Sequence, residues 1–204
     1  MHEMRFTKAE VLDMFRRQDA AYRLVIVASH WLRHTTSFKP SAVEEARGLW
    51  MEVDDEWIVF SDLAEELERD PSVLVGELAM NQLHTTVRAP FEILSDYCED
   101  YDSRIGEKLL TTRLRTQEWY LYASAVRNAV SHNFRFKFTS SFKKRLPTTW
   151  NGMSITADLD GLPLEAGNFW HRQGYKLFME MRVFAEALPE PPSTIPLSTK
   201  ESGP

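Results

Sequence analysis

Apolar residues recur at helical spacing along most of this chain. From Thr7 to about Thr35 apolar residues recur at roughly helical intervals, at Val11, Leu12, Phe15, Tyr22, Val25, Ile26 and Trp31. Thr7 and Glu10 have the spacing of a capping box, in which two residues satisfy backbone N–H groups of the first helical turn. The pattern predicts one long helix whose apolar face belongs to the core of a helical bundle.

The middle of the chain predicts further helices. An acidic stretch fits short helices around 41–52 and 61–69, with their charged faces in water. A longer helix should run from residue 70 to about 101. Pro90 should kink or split it near residues 86 and 87, because proline lacks an N–H and crowds the preceding turn.

Two more long helices are predicted towards the C-terminus. The first should begin near Leu109 or after Thr116, with one apolar face made by Trp119, Tyr122, Ala123, Val126, Ala129 and Val130. The second should span about 164–188, with inward positions at Trp170, Leu177, Phe178, Met181, Phe184 and Ala185. Between these helices the periodicity changes.

A strand-like pattern follows His132. Residues 134–138 alternate phenylalanine with basic residues, and residues 153–159 alternate apolar with polar, as in strands that bury one face. Asn151-Gly152 and Asp160-Gly161 are typical of tight turns. We therefore predict a small β-hairpin at about 134–159, inserted before the last helix.

These elements predict an all-α fold, an up-and-down helical bundle that forms one domain over residues 1–188. Residues 189–204 are rich in Pro, Ser and Thr, and this composition predicts a disordered tail.

Composition narrows the class of protein. Of 204 residues, 43% are hydrophobic and 26% charged, as in ordinary globular proteins. The net charge of −6 argues against a surface that is basic throughout, but it allows a local basic patch. Cys98 is the only cysteine, which excludes an intrachain disulfide, and core packing is its expected role. No signal-like segment and no membrane-spanning run is recognisable, so we expect no membrane association and a cytoplasmic location.

Candidate chemistry lies in Arg127-Asn128-Ala129-Val130-Ser131-His132, where the third long helix should end. On an ideal helix Asn128 shares a face with His132, while Arg127 and His132 flank the apolar stripe about 140° apart. Two copies packed about a two-fold axis would bring two such sets over one cleft, so a homodimer is expected.

These residue types suit cleavage of RNA. A guanidinium binds phosphate oxygens and stabilises the charge of a pentavalent transition state. A histidine takes or delivers a proton near neutral pH. With Asn128 bonded to phosphate, sugar or histidine, they could promote attack of an RNA 2′-hydroxyl on its adjacent phosphorus without a metal.

The segment Ala125-Val126-Arg127-Asn128-Ala129-Val130-Ser131-His132-Asn133 resembles the signature of the HEPN superfamily (higher eukaryotes and prokaryotes nucleotide-binding). That signature is an Arg, commonly followed by Asn, Asp or His, and then a His after four to six intervening residues. The resemblance covers fewer than ten residues. It implies a four- to five-helix bundle of HEPN type and a metal-independent endoribonuclease with a composite site between two copies.

Carried over, the resemblance makes Arg127 and His132 catalytic and Asn128 a supporting polar residue. Members of the superfamily recur in toxin–antitoxin modules and antiviral defence, which implies an antitoxin or other regulatory protein as a further partner. One toxin subgroup has a modified Tyr two positions after the His. This chain has Phe134 there, so the resemblance does not extend to that modification.

A basic segment follows the motif. No acidic residue occurs from His132 until Asp158, and the predicted RNA-binding residues are Ser131, Arg135, Lys137, Lys143, Lys144 and Arg145. The interleaved phenylalanines could stack on bases, but their strand-like alternation favours a place in the core.

Competing interpretations remain. Arg23 and His30 also match the Arg/His spacing, but the apolar residues between them favour coincidence. His30 and His34 have a spacing found in zinc sites, without a third ligand nearby, so neither a metal nor a cofactor is predicted. The alternative functions are a HEPN-like module that binds RNA, a nucleotide or a protein without cutting, and a structural helical protein whose Arg/His spacing is accidental.

Overall fold

The computed structural model describes residues 5–34, 50–53, 56–59, 65, 69, 76, 78, 81, 82, 84–165, 169 and 171–191. The helices of this part are α1 (Lys8–His34), α2 (Ala89–Ile105), α3 (Leu109–Arg115), α4 (Tyr120–Ser131), the single turn α5 (Ser140–Lys143) and α6 (His171–Glu186). The strands form two antiparallel hairpins, β1 (Trp50–Val53) with β2 (Glu56–Val59), and β3 (Thr148–Trp150) with β4 (Met153–Ile155). The described part of the chain is mainly helical, as predicted. None of the helices described is both long enough and apolar enough to cross a membrane.

Helix α1 begins with the predicted capping box. The Thr7 N–H donates to Glu10 Oε2 at 2.7 Å, and the Glu10 N–H donates to Thr7 Oγ1 at 3.2 Å. Val11, Phe15 and Tyr22 are buried, as expected. Ile26 is 39% exposed, however, so its predicted place on the buried face is wrong. Because residues 24–27 are all apolar, periodicity could not select one buried face there.

At the position of the predicted kink near Pro90 the helix contains a π-helical turn over His84–Arg88, which leads directly into α2. The wider turn accommodates the prolyl ring and its missing N–H. Thr86 and Val87 are buried there, and Gln82 Nε2 donates to Thr86 Oγ1 at 2.9 Å. This turn packs against α1, α4 and α6.

The third long helix is divided, so both predicted starting points are used. Helix α3 ends at Arg115 and α4 begins at Tyr120. The Thr116 hydroxyl and the Gln117 side-chain amide each donate to the Arg113 carbonyl at 3.0 Å, which competes with continued backbone pairing. The six residues predicted for the apolar face, from Trp119 to Val130, are all buried.

The corner between α2 and α3 is fixed by one carboxylate. Gly106 ends α2 in the left-handed region, at φ 75°. Asp102 is buried and accepts from the backbone N–H groups of Leu110 at 2.7 Å and Thr111 at 2.8 Å. A side chain of α2 therefore satisfies the first turn of α3.

The predicted hairpin forms around the expected turn but with a different partner strand. Asn151 and Gly152 have φ values of 49° and 77°, and β3 pairs with β4 across them. Residues 134–138 lie instead beside 161–164, where the Phe136 N–H donates to the Leu162 carbonyl at 2.9 Å. Pairing of 134–138 with 153–159 is therefore wrong, because residues 148–150 reach the second strand through a shorter loop. The predicted alternation is confirmed, since Phe136 and Phe138 are buried while Arg135 and Lys137 are exposed.

A second hairpin was not predicted. Strand β1 occupies residues expected to end the short helix 41–52, so that prediction is wrong at 50–52. The described residues 65 and 69 are helical, as are 76, 78, 81 and 82, in agreement with the helices predicted there. The other residues of these predicted helices before residue 84, including 41–49, lie outside the described residues.

Helix α6 begins at His171, seven residues later than predicted. Its face formed by Leu177, Phe178, Met181, Phe184 and Ala185 is buried, as expected, whereas the side chain of Trp170 lies outside the described residues. The chain then turns back onto α2, where the Tyr97 hydroxyl donates to the Pro189 carbonyl at 2.7 Å. Residues 192–204 of the predicted tail lie outside the described residues.

Candidate functional site

Helix α4 ends at the predicted motif. The Ser131 hydroxyl donates to the Arg127 carbonyl at 2.9 Å and so takes part in the last turn. His132 occupies the C-cap position with φ −120° and ψ 51°, and it is exposed. The 140° separation expected from an ideal helix therefore does not apply, because the backbone leaves the helix at His132.

The two residues after His132 form an unusual turn. Asn133 and Phe134 both lie in the left-handed region, at φ 53° and 55°. Asparagine tolerates this conformation, but phenylalanine rarely adopts it. The turn is held from outside, since the Phe134 carbonyl accepts from the Leu164 N–H at 2.6 Å. The position of His132 thus depends on residues about thirty positions later in the chain.

Arg127 is held by helix α2. Its side chain is 33% exposed, and its Nη1 donates to Asn128 Oδ1 at 3.0 Å. Its Nε is buried and lies 3.8 Å from Glu92 Oε1, while the guanidinium carbon lies 5.6 Å from the centre of the Phe91 ring. The same Glu92 oxygen accepts from Arg88 Nε at 3.0 Å. Asn128 therefore contacts Arg127, and two arginines face one carboxylate.

An open cavity of about 490 Å³ lies beside His132. We call it the His132 cavity; its lining residues are Ser131, His132, Asn133, Arg135, Phe136, Lys137, Asp160 and Gly161. Four residues predicted from the sequence, Ser131, His132, Arg135 and Lys137, thus meet in one place. Arg127 does not line this cavity.

The remaining predicted cations lie on α5 and just after it. Lys143 Nζ pairs with Asp160 Oδ2 at 2.7 Å, and this contact, with the Phe138 N–H, holds the pKa of Asp160 below its ordinary value. Lys144 is exposed, and the Arg145 guanidinium lies 6.0 Å from the Phe142 ring centre. Arg135 and Lys137 therefore line the cavity themselves, whereas Lys143 is joined to it through its carboxylate partner Asp160.

Sequence reasoning missed three residues that contact or support Arg127: Arg88, Phe91 and Glu92. A signal existed, because Arg88 and Glu92 are four residues apart and directly flank the predicted kink at Pro90. What the sequence could not provide was the packing of α2 against α4.

The other candidates take structural places. Cys98 is fully buried, and burial raises the pKa of its thiol to about 12, which agrees with core packing. Arg23 pairs with Asp19 at 3.0 Å, whereas the side chains of His30 and His34 lie outside the described residues. Among the residues described, no three His, Cys, Asp or Glu side chains cluster as metal ligands would.

Comparisons with protein-family models, curated proteins and solved structures gave no match to this chain. A function must therefore be inferred from the residues around Arg127 and His132 themselves.

Proposed function

We propose that this protein is a HEPN-type endoribonuclease that cleaves single-stranded RNA by attack of a 2′-hydroxyl on the adjacent phosphorus. The observation that carries the proposal is an exposed histidine in an open cavity with Arg135 and Lys137, on the same helix end as a restrained arginine. His132 acts as general acid or base, Arg127 binds the scissile phosphate, and Asn128 orients Arg127.

The state of Arg127 supports phosphate binding. Phe91, Glu92 and Asn128 hold the guanidinium, and one third of the side chain still faces solvent. Within the described part of the chain no hydrogen bond engages Nη2. A planar cation that is held but still accessible suits a phosphate oxygen, because little orientational freedom remains to be lost on binding.

We further propose that the complete site forms between two copies of the chain. In one chain the His132 cavity does not include Arg127, so a second copy would supply the arginine that faces a given histidine. On the resemblance alone, the biological role is in a toxin–antitoxin system or antiviral defence in the cytoplasm, with a second protein that restrains the activity.

The direct test uses a fluorescent single-stranded RNA, the matching DNA and EDTA. The wild-type protein should cut only the RNA and leave cyclic-phosphate or 3′-phosphate ends. His132→Ala should lower the rate by roughly 10²–10⁴-fold and Arg127→Ala by roughly 10²–10³-fold. Arg115→Ala, which removes an exposed arginine at the end of α3, is the matched control and should cut normally. Unchanged cutting by His132→Ala would rule out the assigned role.

A mixing experiment tests the composite site. His132→Ala and Arg127→Ala proteins should each be nearly inactive, but a mixed dimer would retain one site with both residues. Mixing them should restore activity, up to about half of the wild-type value per mixed dimer because one of two sites is intact. If the arginine and histidine of one site came from the same chain, mixing would restore nothing.

A second candidate is a module that binds RNA without cutting it. It is favoured by the lining of the His132 cavity, which includes the exposed cations Arg135 and Lys137 but, in one chain, not the arginine that cleavage needs. In that case wild-type and His132→Ala proteins would bind the RNA equally, and neither would cleave it.

A further inference from the structure

The three residues that sequence reasoning missed, Arg88, Phe91 and Glu92, lie together where the π-helical turn leads into α2. Arg88 is the last residue of the π-helical turn, and Phe91 and Glu92 lie in the first turn of α2. Phe91 contacts the face of the Arg127 guanidinium, while Glu92 faces its Nε. Phe91 and Glu92 therefore contact Arg127 from a neighbouring helix, and Arg88 is linked to it through Glu92.

The two distances to Glu92 differ in a way that has a chemical consequence. Oε1 is 3.0 Å from Arg88 Nε, a hydrogen bond, but 3.8 Å from Arg127 Nε, which is an ion pair without one. The carboxylate is therefore hydrogen-bonded to Arg88 and not to Arg127 Nε. A carboxylate bound bidentately to Arg127 would occupy the donors that a phosphate needs.

Stability does not account for this arrangement well. The Glu92 side chain is 41% exposed and that of Arg88 is 38% exposed, and such ion pairs contribute little to folding. An arginine has several rotatable bonds, however, and it acts on a transition state only when its orientation is fixed beforehand. Contacts to its face, its Nε and its Nη1 restrict Arg127 in this way.

We propose that Glu92 is a positioning residue that fixes the orientation of Arg127, and that Arg88 keeps the Glu92 carboxylate from competing with the substrate phosphate. The catalytic part of this inference rests on the proposed function. Glu92 and Arg88 should have different kinetic effects, because Glu92 acts on the transition state through Arg127 whereas Arg88 acts on access of RNA to Arg127.

Cleavage kinetics separate these effects. Glu92→Gln should lower kcat by about tenfold without raising KM, because the guanidinium is misplaced but its charge is not opposed. Arg88→Ala should mainly raise KM, because the freed carboxylate pairs with Arg127. In an Arg127→Ala background Glu92→Gln should have no further effect, since its effect passes through Arg127. Glu186→Gln is the matched control, because Glu186 pairs with Arg182 at the same spacing and the same 3.0 Å.

Side-chain NMR tests the positioning without cleavage. With ¹⁵N-labelled arginine, the Nε–Hε signal of Arg127 is assigned by its loss in Arg127→Ala. It should show restricted motion in the wild type and in Glu186→Gln, and averaged motion in Glu92→Gln.

The outcomes distinguish the two proposals. If wild-type protein cuts no RNA, the proposed function fails, and the NMR result alone decides whether Glu92 positions Arg127. If the Arg127 signal is unchanged in Glu92→Gln, or if Glu92→Gln lowers kcat equally with and without Arg127, the inference about Glu92 is wrong. A fall in melting temperature without either effect also overturns it, because that is the result of a purely structural contact.

Discussion

The carboxylate that joins α2 to α3 is the most informative place to perturb the fold. Asp102 is 6% exposed and accepts two backbone hydrogen bonds, from Leu110 at 2.7 Å and from Thr111 at 2.8 Å. These N–H groups belong to the first turn of a helix, where no carbonyl of that helix can accept from them. Asp102→Ala therefore removes the acceptor of both.

The expected loss in the free energy of unfolding depends on how deeply the N–H groups of Leu110 and Thr111 are buried. Leu110 is buried, so its N–H would be left without a partner, at roughly 1–3 kcal/mol. Thr111 is only partly buried, so its N–H can regain water and costs less, about 0.5–1 kcal/mol. We expect Asp102→Ala to lower the free energy of unfolding by about 3 kcal/mol, which corresponds to a melting temperature lower by roughly 6–12 °C. Asp102→Asn keeps one acceptor oxygen and should cost about half as much.

Urea unfolding followed by circular dichroism measures these differences, at constant slope against denaturant. The matched control is Asp96→Ala, on the same helix, which removes an exposed 2.9 Å pair with Arg5 and should cost under about 1 kcal/mol. The reasoning is refuted if the Asp102 and Asp96 variants lose equal stability, because burial of the donors would then not matter.

Three further predictions concern titration, reactivity and charge. Burial of Asp19 raises its pKa, but hydrogen bonds from Tyr175 and Arg23 outweigh this effect and lower the pKa overall. The Asp19 carboxylate should therefore stabilise the fold fully above about pH 4, and this stabilisation should be lost as pH falls through the lowered pKa. Acid unfolding of Asp19→Asn should lack this pH dependence. Burial raises the pKa of Cys98 to about 12, so iodoacetamide at pH 8 should label it only in denaturant, and rapid native labelling would contradict this. Fluorescence anisotropy should show a larger loss of RNA affinity for Lys137→Ala than for Lys143→Ala, because Lys143 is paired with Asp160; equal losses would contradict this.

Local chemistry explains which parts of the fold were predictable. The Thr7–Glu10 capping box, the break before Pro90 and the apolar face of α4 each depend on residues within one or two helical turns. The alternation in residues 134–138 correctly predicted which side chains are buried. It could not identify the partner segment, because pairing between strands is a contact between distant parts of the chain. Strand β1 has only four residues, too few to show a period against the acidic stretch around it.

Some features of the candidate site could likewise be predicted from local sequence, and others depend on contacts between distant parts of the chain. The Arg127–His132 motif could be found in the sequence because its residues are close together in the chain. In the structure Arg127 is partly exposed and His132 is exposed. Their relative orientation could not be predicted, because His132 leaves the helix in a turn that Leu164 holds. The partners Arg88 and Glu92 depend on how α2 packs against α4, and an ideal helix contains no information about that contact.

The π-helical turn before α2 has the geometry of a one-residue insertion into a helix. A π-helical turn accommodates one residue more than an α-helical turn, so it corresponds to the insertion of a single codon into an otherwise regular helix. Deleting one residue from His84–Arg88 would rotate the preceding segment, including Gln82, by about 100° relative to α2. The loss would be tolerated best together with replacement of Pro90, because a regular helix would bring its ring against the carbonyl four residues earlier. In an alignment with diverged relatives, we therefore expect a one-residue gap at this turn in chains that lack the proline.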